Sequence, residues 1–228
     1  MKGVIILIYV TGDTHGNFER FKEKSIKRLK KNDTLIVCGD FGFIWDGSRQ
    51  ERANLKRLSD LKFNVAFVDG CHENFNLLYS YPIQSWCGAK ARIISDNVIH
   101  LMRGQVYTIE DKKIFTFGGG HSDDIEIRKE ANSWYPQEEP TPEEVLEGVN
   151  SLIANDYKLD YVITHEPPSS IKLCLGIDMF HRLECDAFFE QIKEKCEFKH
   201  WFFGKCHENR FIPPRFSVLF DEVVPLDE

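Results

Sequence analysis

The sequence has no apolar run long enough to cross a membrane. The longest near its start, Val4–Val10, is seven residues, whereas a spanning helix needs ~20. That run also makes a poor export signal. One lysine precedes it, and Thr11-Gly12-Asp13 stands where a small-residue cleavage site would sit. No Cys-x-x-Cys pair occurs, and the cysteines number seven, an odd count. With no export signal, reduced thiols in a cytoplasm are the expectation. Positive charge is not in excess: 29 Lys and Arg stand against 36 Asp and Glu, a net charge of −7. That disfavours a dedicated nucleic-acid coat, which needs a positive surface. Long low-complexity tracts and repeats are missing too. The nearest thing to a linker is Tyr135–Pro142, with three prolines among Glu and Gln.

With 228 residues, 42% apolar and 29% charged, the chain is neither disordered nor collagen-like. A single domain of this size buries roughly 70–75% of its unfolded surface, so it needs no disulfide or structural metal to fold. We read residues 1–228 as one domain. Short runs rich in Val, Ile and Phe recur at Ile5–Val10, Leu35–Cys38, Val65–Val68, Ile114–Phe117, Tyr161–Ile163 and Trp201–Phe203. Bounded by Gly, Asp or Thr, they predict buried strands. Helical spacing appears between them, in Phe18–Leu29, Asn54–Leu61 and Phe188–Cys196. Thr141-Pro142-Glu143-Glu144 predicts a helix start, running to about Asn155. Val98–Phe117, broken at Arg103-Gly104 and Glu110-Asp111, reads as hairpin-linked antiparallel strands. Phe211–Val224 reads as edge strands. The fold class is α/β with mixed sheets.

The strand ends are the informative feature. Five strands lead into Gly12-Asp13-Thr14-His15-Gly16, Gly39-Asp40, Asp69-Gly70-Cys71-His72, Thr164-His165 and Gly204-Lys205-Cys206-His207. Ligands bind at the carboxyl ends of strands in open α/β sheets, and imidazole with carboxylate suits Zn, Mn, Fe and Ni. Taken singly, Gly39-Asp40 reads as a turn and Thr164-His165 as structural. Jointly they predict a metal centre assembled from five loops.

On these motifs the sequence resembles the calcineurin-like metallophosphoesterase superfamily, over residues 9 to 209. The resemblance implies a four-layer sandwich of two mixed β-sheets flanked by helices, carrying two divalent metal ions, Mn, Zn or Fe. Position by position it implies that Asp13, His15 and His207 hold the first metal, that Asp40 bridges both, and that His165 holds the second. It implies that His72 is no ligand but the general acid that protonates the leaving oxygen, after attack on phosphorus by a metal-activated hydroxide. Asp69 stands where it could orient His72, or serve only as a turn acid.

Two positions depart from the pattern. Cys71 replaces the family's Asn, and Lys205 replaces a His. An ammonium has donors and no acceptor, so Lys205 cannot ligate; Cys71 could, as a thiolate. Three readings are open: a binuclear site with Cys71 as a soft ligand; a mononuclear site in which Lys205 supplies the missing charge against the phosphate; or a weakened metal-binding or redox-sensing relative, with Cys71 and Lys205 facing each other in the vacated site. The mononuclear reading is preferred as chemistry, with phosphoester hydrolysis as the activity.

The protein-phosphatase clamp Asp-Arg-Gly is absent; Gly39-Asp40-Phe41-Gly42-Phe43-Ile44-Trp45 stands there instead. Phe41, Phe43 and Trp45 are an apolar wall or core. Gly118-Gly119-Gly120-His121-Ser122 with Arg128 is a candidate substrate loop, and Lys205 a second substrate contact. The expected partner is a small phosphoester, ahead of a phosphoprotein or nucleic acid, and no membrane.

Overall fold

A strand covered on both faces is apolar at every position rather than alternating. That is why the runs above are continuous. The computed structural model describes residues 6–177 and 183–227, so residues 4 and 5 of the first apolar run lie outside it. Along the chain come β1 (Ile8–Thr11), a 3₁₀ turn (Phe18–Lys22), α1 (Lys24–Lys27), β2 (Thr34–Cys38), α2 (Arg49–Ser59), β3 (Asn64–Val68) and α3 (Phe75–Leu78). Next are β4 (Ile83–Trp86), β5 (Ala89–Ser95), β6 (Val98–Leu101), β7 (Gln105–Ile109), β8 (Lys112–Phe117), α4 (Ile125–Glu130) and α5 (Pro142–Ala154). The last elements are β9 (Tyr161–Thr164), α6 (Ser169–Leu175), α7 (Asp186–Lys195), β10 (His200–Phe203), β11 (Arg210–Ile212), β12 (Phe216–Val218) and β13 (Val223–Pro225). Among the described residues no helix is long and apolar enough to cross a membrane.

The strands form two mixed sheets. A seven-stranded sheet runs β13-β1-β2-β3-β6-β5-β4 and a six-stranded one β11-β12-β10-β9-β8-β7. In each the middle strands are parallel and the outer ones antiparallel. Alternate side chains of the middle strands serve two cores. Ile8, Val10, Ile36, Val68 and Ile99 meet Ile114, Tyr161, Ile163 and Phe202 between the sheets. Tyr9, Leu35, Val37 and Phe67 pack outward against Ile26, Leu58 and Phe75 from α1–α3. Phe115, Phe117, Val162 and Trp201 pack outward against Leu152, Phe188 and Ile192 from α5 and α7. The result is the four-layer arrangement, helices outside and sheets within.

Two sequence expectations need correction. Phe18–Leu29 is not one helix: Glu23 is extended (φ −65°, ψ 152°) and separates the 3₁₀ turn from α1. The buried Arg20 reaches across to Thr11 Oγ1 and the carbonyls of Asp13 and Phe220, which holds that turn on the sheet. Val98–Phe117 is not a run of hairpins. Only β7 and β8 form one, through Glu110 and Asp111 at φ 48° and 61°, as a tight primed turn requires. At Arg103-Gly104 the chain crosses from one sheet to the other. Gly104 (φ 72°) lies against α5, where a Cβ would fall 2.6 Å from the Gly148 nitrogen. The antiparallel partner of β6 is β5, a pairing the sequence pattern did not reveal. The helix from Pro142 is as expected, with a Thr141–Glu144 capping box.

Candidate metal centre

Five parallel strands point their carboxyl ends at one place. β1, β2 and β3 deliver Asp13 with His15, Asp40, and Cys71 with His72. From the other sheet β9 delivers His165, and β10 delivers Lys205 with His207. The turns are strained: His15 (φ 46°), Asp40 (φ 41°), Lys205 (φ 72°) and His207 (φ 50°) are all left-handed, at about 1–3 kcal/mol each. Gly70 and Gly204 leave no room for a side chain. A Cβ would fall 2.0 Å from Asp40 Oδ1 at the first and 2.1 Å from Asp13 Oδ1 at the second.

Asp13 is buried, and both its carboxylate oxygens accept from the Lys205 backbone N–H at 3.2 Å. His207 Nε2 lies 3.3 Å from Asp13 Oδ2 and 2.8 Å from His15 Nε2. His15 Nε2 is 4.0 Å from Asp40 Oδ2. Asp13, His15, Asp40 and His207 thus offer four donor atoms all within 4.8 Å of one another. Ligands about 2.0–2.2 Å from one ion lie at most about 4.4 Å apart, so this set could hold a single divalent cation after drawing in slightly. Burial holds the His15 imidazole below its ordinary pKa, against the pull of Asp40 and Asp13. Its nitrogen is therefore a neutral lone pair at pH 7.

Asp40 links this set to a second pocket. Its Oδ1 accepts from the His72 backbone N–H at 2.8 Å, its Oδ2 lies 2.8 Å from His72 Nδ1, and its Oδ1 lies 3.6 Å from His165 Nε2. Burial opposes the Asp40 charge, but His165 and His72 outweigh it and hold the carboxyl well below the usual range. Burial likewise opposes charge on His165, yet Asp40 and Asp13 carry it up to about 10. The His165 Nδ1–H donates to the Cys38 carbonyl at 3.0 Å, which leaves Nε2 facing the pocket. There Cys71 Sγ lies 3.7 Å from His165 Nε2, 3.9 Å from Asp40 Oδ2 and 3.4 Å from Lys205 Nζ.

Lys205 decides the character of this pocket. Its Nζ donates to the His121 carbonyl and lies 3.5 Å from Glu166 Oε1. Burial works against its charge, but Cys71, when ionised, and the Glu166 carboxylate raise its pKa above the ordinary value. Burial, then Asp40, push the Cys71 thiol up. The pair is an ammonium beside a neutral thiol. Asp40, Cys71 and His72 form a second group of possible metal donors, with the Lys205 ammonium 3.4 Å from Cys71 Sγ.

His72 is half-buried, with Nε2 3.2 and 3.3 Å from the two Asp124 oxygens. Burial lowers its pKa, Asp40 and Asp124 raise it, and the balance is upward. Asp124 was not legible in the sequence; it lies two residues beyond the Gly118–Ser122 segment that follows β8, and only the fold brings it to His72. Glu166 was also missed, although it directly follows His165. Asp69 does not touch His72. Its oxygens take His100 Nε2 at 2.9 Å and the Arg103 guanidinium at 2.6 and 2.9 Å, an internal ion pair. Arg128, expected to touch substrate, points inward. It is 4% exposed, and its Nη1 donates to the Cys71 carbonyl, Ser122 Oγ and Glu138. The amides of Gly119, Gly120, His121 and Ser122 are taken by Asp69 O, Glu138 O, Glu166 and Glu138. The loop holds buried carboxylates rather than an outside anion. Phe41 and Phe43 are core; Trp45 is half-exposed at the mouth.

From the first ligand set a cleft of about 600 Å³ opens between His15, His72, His207, Trp45 and the first turns of α2. A cluster of imidazoles and carboxylates at strand ends, with a half-buried histidine beside it, defines a metal-dependent hydrolase centre. The family model described as calcineurin-like phosphoesterase matches residues 6–204. The chain belongs to that family, and is a metal-dependent phosphoesterase in general class. The match ends at Gly204, just before Lys205 and His207. No curated protein matches the chain.

Proposed function

We propose that this chain hydrolyses phosphate esters with one divalent cation, held by Asp13, His15, Asp40 and His207, while the Lys205 ammonium stands in for a second. The convergence of four donors within 4.8 Å, beside a lysine Nζ 3.4 Å from Cys71 Sγ, is the observation that carries this reading. When bound, the cation supplies a Lewis acid and a nucleophile drawn from water. Lys205 adds positive charge against the phosphoryl oxygens where charge builds up, and Glu166 keeps it protonated. Asp40 takes the Nδ1 side of His72, so the Nε2 side holds the proton for the departing oxygen, which replaces Asp124 as its acceptor. Asp124 faces that edge and favours its charged form. Cys71, a neutral thiol, fills space beside Lys205.

Elemental analysis of the purified chain, alongside hydrolysis of an aryl phosphate monoester and diester with Mn, Zn or Fe supplied, tests the proposal. We expect about one metal per chain, lost with turnover in His207→Ala. The paired changes Cys71→Asn and Lys205→His should bring metal toward two per chain. Two equivalents in the unaltered protein would refute the lysine role. One equivalent with neither ester hydrolysed would favour a binding relative.

A further inference from the structure

The mouth of the centre carries information about the substrate's other half. The loop Ile44–Ser48 is held rigidly. The backbone N–H groups of Trp45, Asp46 and Gly47 all donate to the Glu51 carboxylate, at 2.6, 2.7 and 3.2 Å. The Trp45 carbonyl accepts from Asn74 Nδ2 at 2.6 Å, and the Arg128 guanidinium carbon sits 5.8 Å from the indole centroid. Trp45 is therefore fixed from both sides of its backbone, yet half-exposed in the cleft. Gln50 and Asn54 of α2 also line the cleft; Asn54 Oδ1 accepts from Gln50 Nε2 at 3.3 Å and from Arg57 Nη1 at 3.2 Å, which leaves Gln50 Oε1 and Asn54 Nδ2 to read a ligand. Among the described residues no lysine or arginine lines the cleft, whereas Asp46 and Glu51 do. At about 600 Å³ it is in the range of small-molecule sites.

Each feature selects. A rigid indole is a stacking platform for a planar ring. Carboxamides read a ring edge that both donates and accepts. Carboxylates in a lining that holds no lysine or arginine disfavour further negative charge. We propose that the cleft seats the leaving group of the substrate, and that this group is an uncharged, planar, hydrogen-bonding ring of nucleoside type. Trp45, Gln50 and Asn54 set the specificity. Esters carrying a second phosphate are disfavoured. The inference rests on the phosphoester reading only for where the phosphate lies.

The test uses the full chain with Mn supplied. Adenosine 5′-monophosphate, adenosine 5′-diphosphate and glycerol 3-phosphate are compared by kcat/KM, and adenosine binding is followed by saturation-transfer NMR without added metal. The monophosphate should exceed glycerol phosphate by about 10-fold or more, the scale of one stacked ring. Trp45→Ala should bring that ratio toward one, mainly through KM, and Trp45→Phe should keep most of it. Adenosine ring protons should take up saturation from the unaltered protein and not from Trp45→Ala. Equal use of the diphosphate, an unchanged ratio in Trp45→Ala, or no saturation transfer to the ring would overturn the assignment. Ring binding that Trp45→Ala abolishes, with no ester hydrolysed, would instead leave the cleft assigned and remove the catalytic reading.

Discussion

At the scale of single residues, the centre is a balance of buried charge. Asp13, Asp40 and Glu166 are all buried, and imidazoles and Lys205 face them at 2.8–3.7 Å. Buried carboxylates are stable only when paired this closely. A cation brought to Asp13 and Asp40 takes over part of the pairing that the imidazoles provide. His72 shares in this balance through Asp40 but is the general acid of the proposed reaction rather than one of its metal ligands. Its Nδ1 faces Asp40, and its Nε2 faces Asp124 where it lines the cleft, so its removal should spare metal binding and remove proton donation. We expect His72→Gln to keep its metal and to lower kcat by about 10²–10³-fold, more for an alkyl ester than for an aryl one whose oxygen leaves unaided. Equal losses for the two esters in steady-state assays would deny His72 the acid's role.

At the scale of elements, the candidate site side chains follow strand ends, and the helices stabilise from outside. The clearest local device is α5. Its Thr141 side chain accepts from the Glu144 N–H at 3.3 Å, and the Glu144 carboxylate accepts in return from the Thr141 N–H at 3.0 Å. Glu144 Oε2 also accepts from Arg103 Nη1 at 2.7 Å, so the cap ties α5 to the crossover between the sheets. Thr141→Ala should destabilise by about 1 kcal/mol, read as a lower urea midpoint with an unchanged slope, and turnover should stay as it was. The crossover itself explains why Val98–Phe117 looked like a simple meander. Gly104 and Arg103 resemble a hairpin turn in composition. The buried pairing of Arg103 with Asp69 and Glu144 makes them a passage between layers.

At the scale of the whole molecule, two sheets supply one centre, so its charges couple to global stability. Glu166 makes the point, since it binds Lys172 at 2.9 Å and Lys205 at 3.5 Å. Burial opposes its charge, but these two lysines win and hold its carboxyl at about 2 against an ordinary 4.5. A carboxyl with a depressed folded pKa stabilises fully above its unfolded value, and loses that contribution as pH falls through the folded one. The stability gap between the unaltered protein and Glu166→Gln should thus be wide at pH 6, shrink below pH 4.5, and nearly close by about pH 2. Chemical denaturation across that range measures it; a gap independent of pH would mean that the Glu166 charge is not what the lysines hold.

Much of this architecture was readable from the chain alone, because strands buried on both faces must be apolar throughout and must end where polar chemistry begins. Val65–Val68 before Cys71-His72, and Trp201–Phe203 before Lys205 and His207, carry that signal locally. The departures at Cys71 and Lys205 were also visible as residue types. Other pairings were invisible because they join residues with no shared local pattern: Asp69 with Arg103 rather than His72, Asp124 with His72, and Arg128 turned inward to Glu138. Hydrophobic periodicity and turn chemistry act over a few neighbours, so sequence determined the strands, their order of motifs and the residue types that follow them. Which charge neutralises which depends on packing distance between remote loops, and that was decided only when two sheets closed on each other.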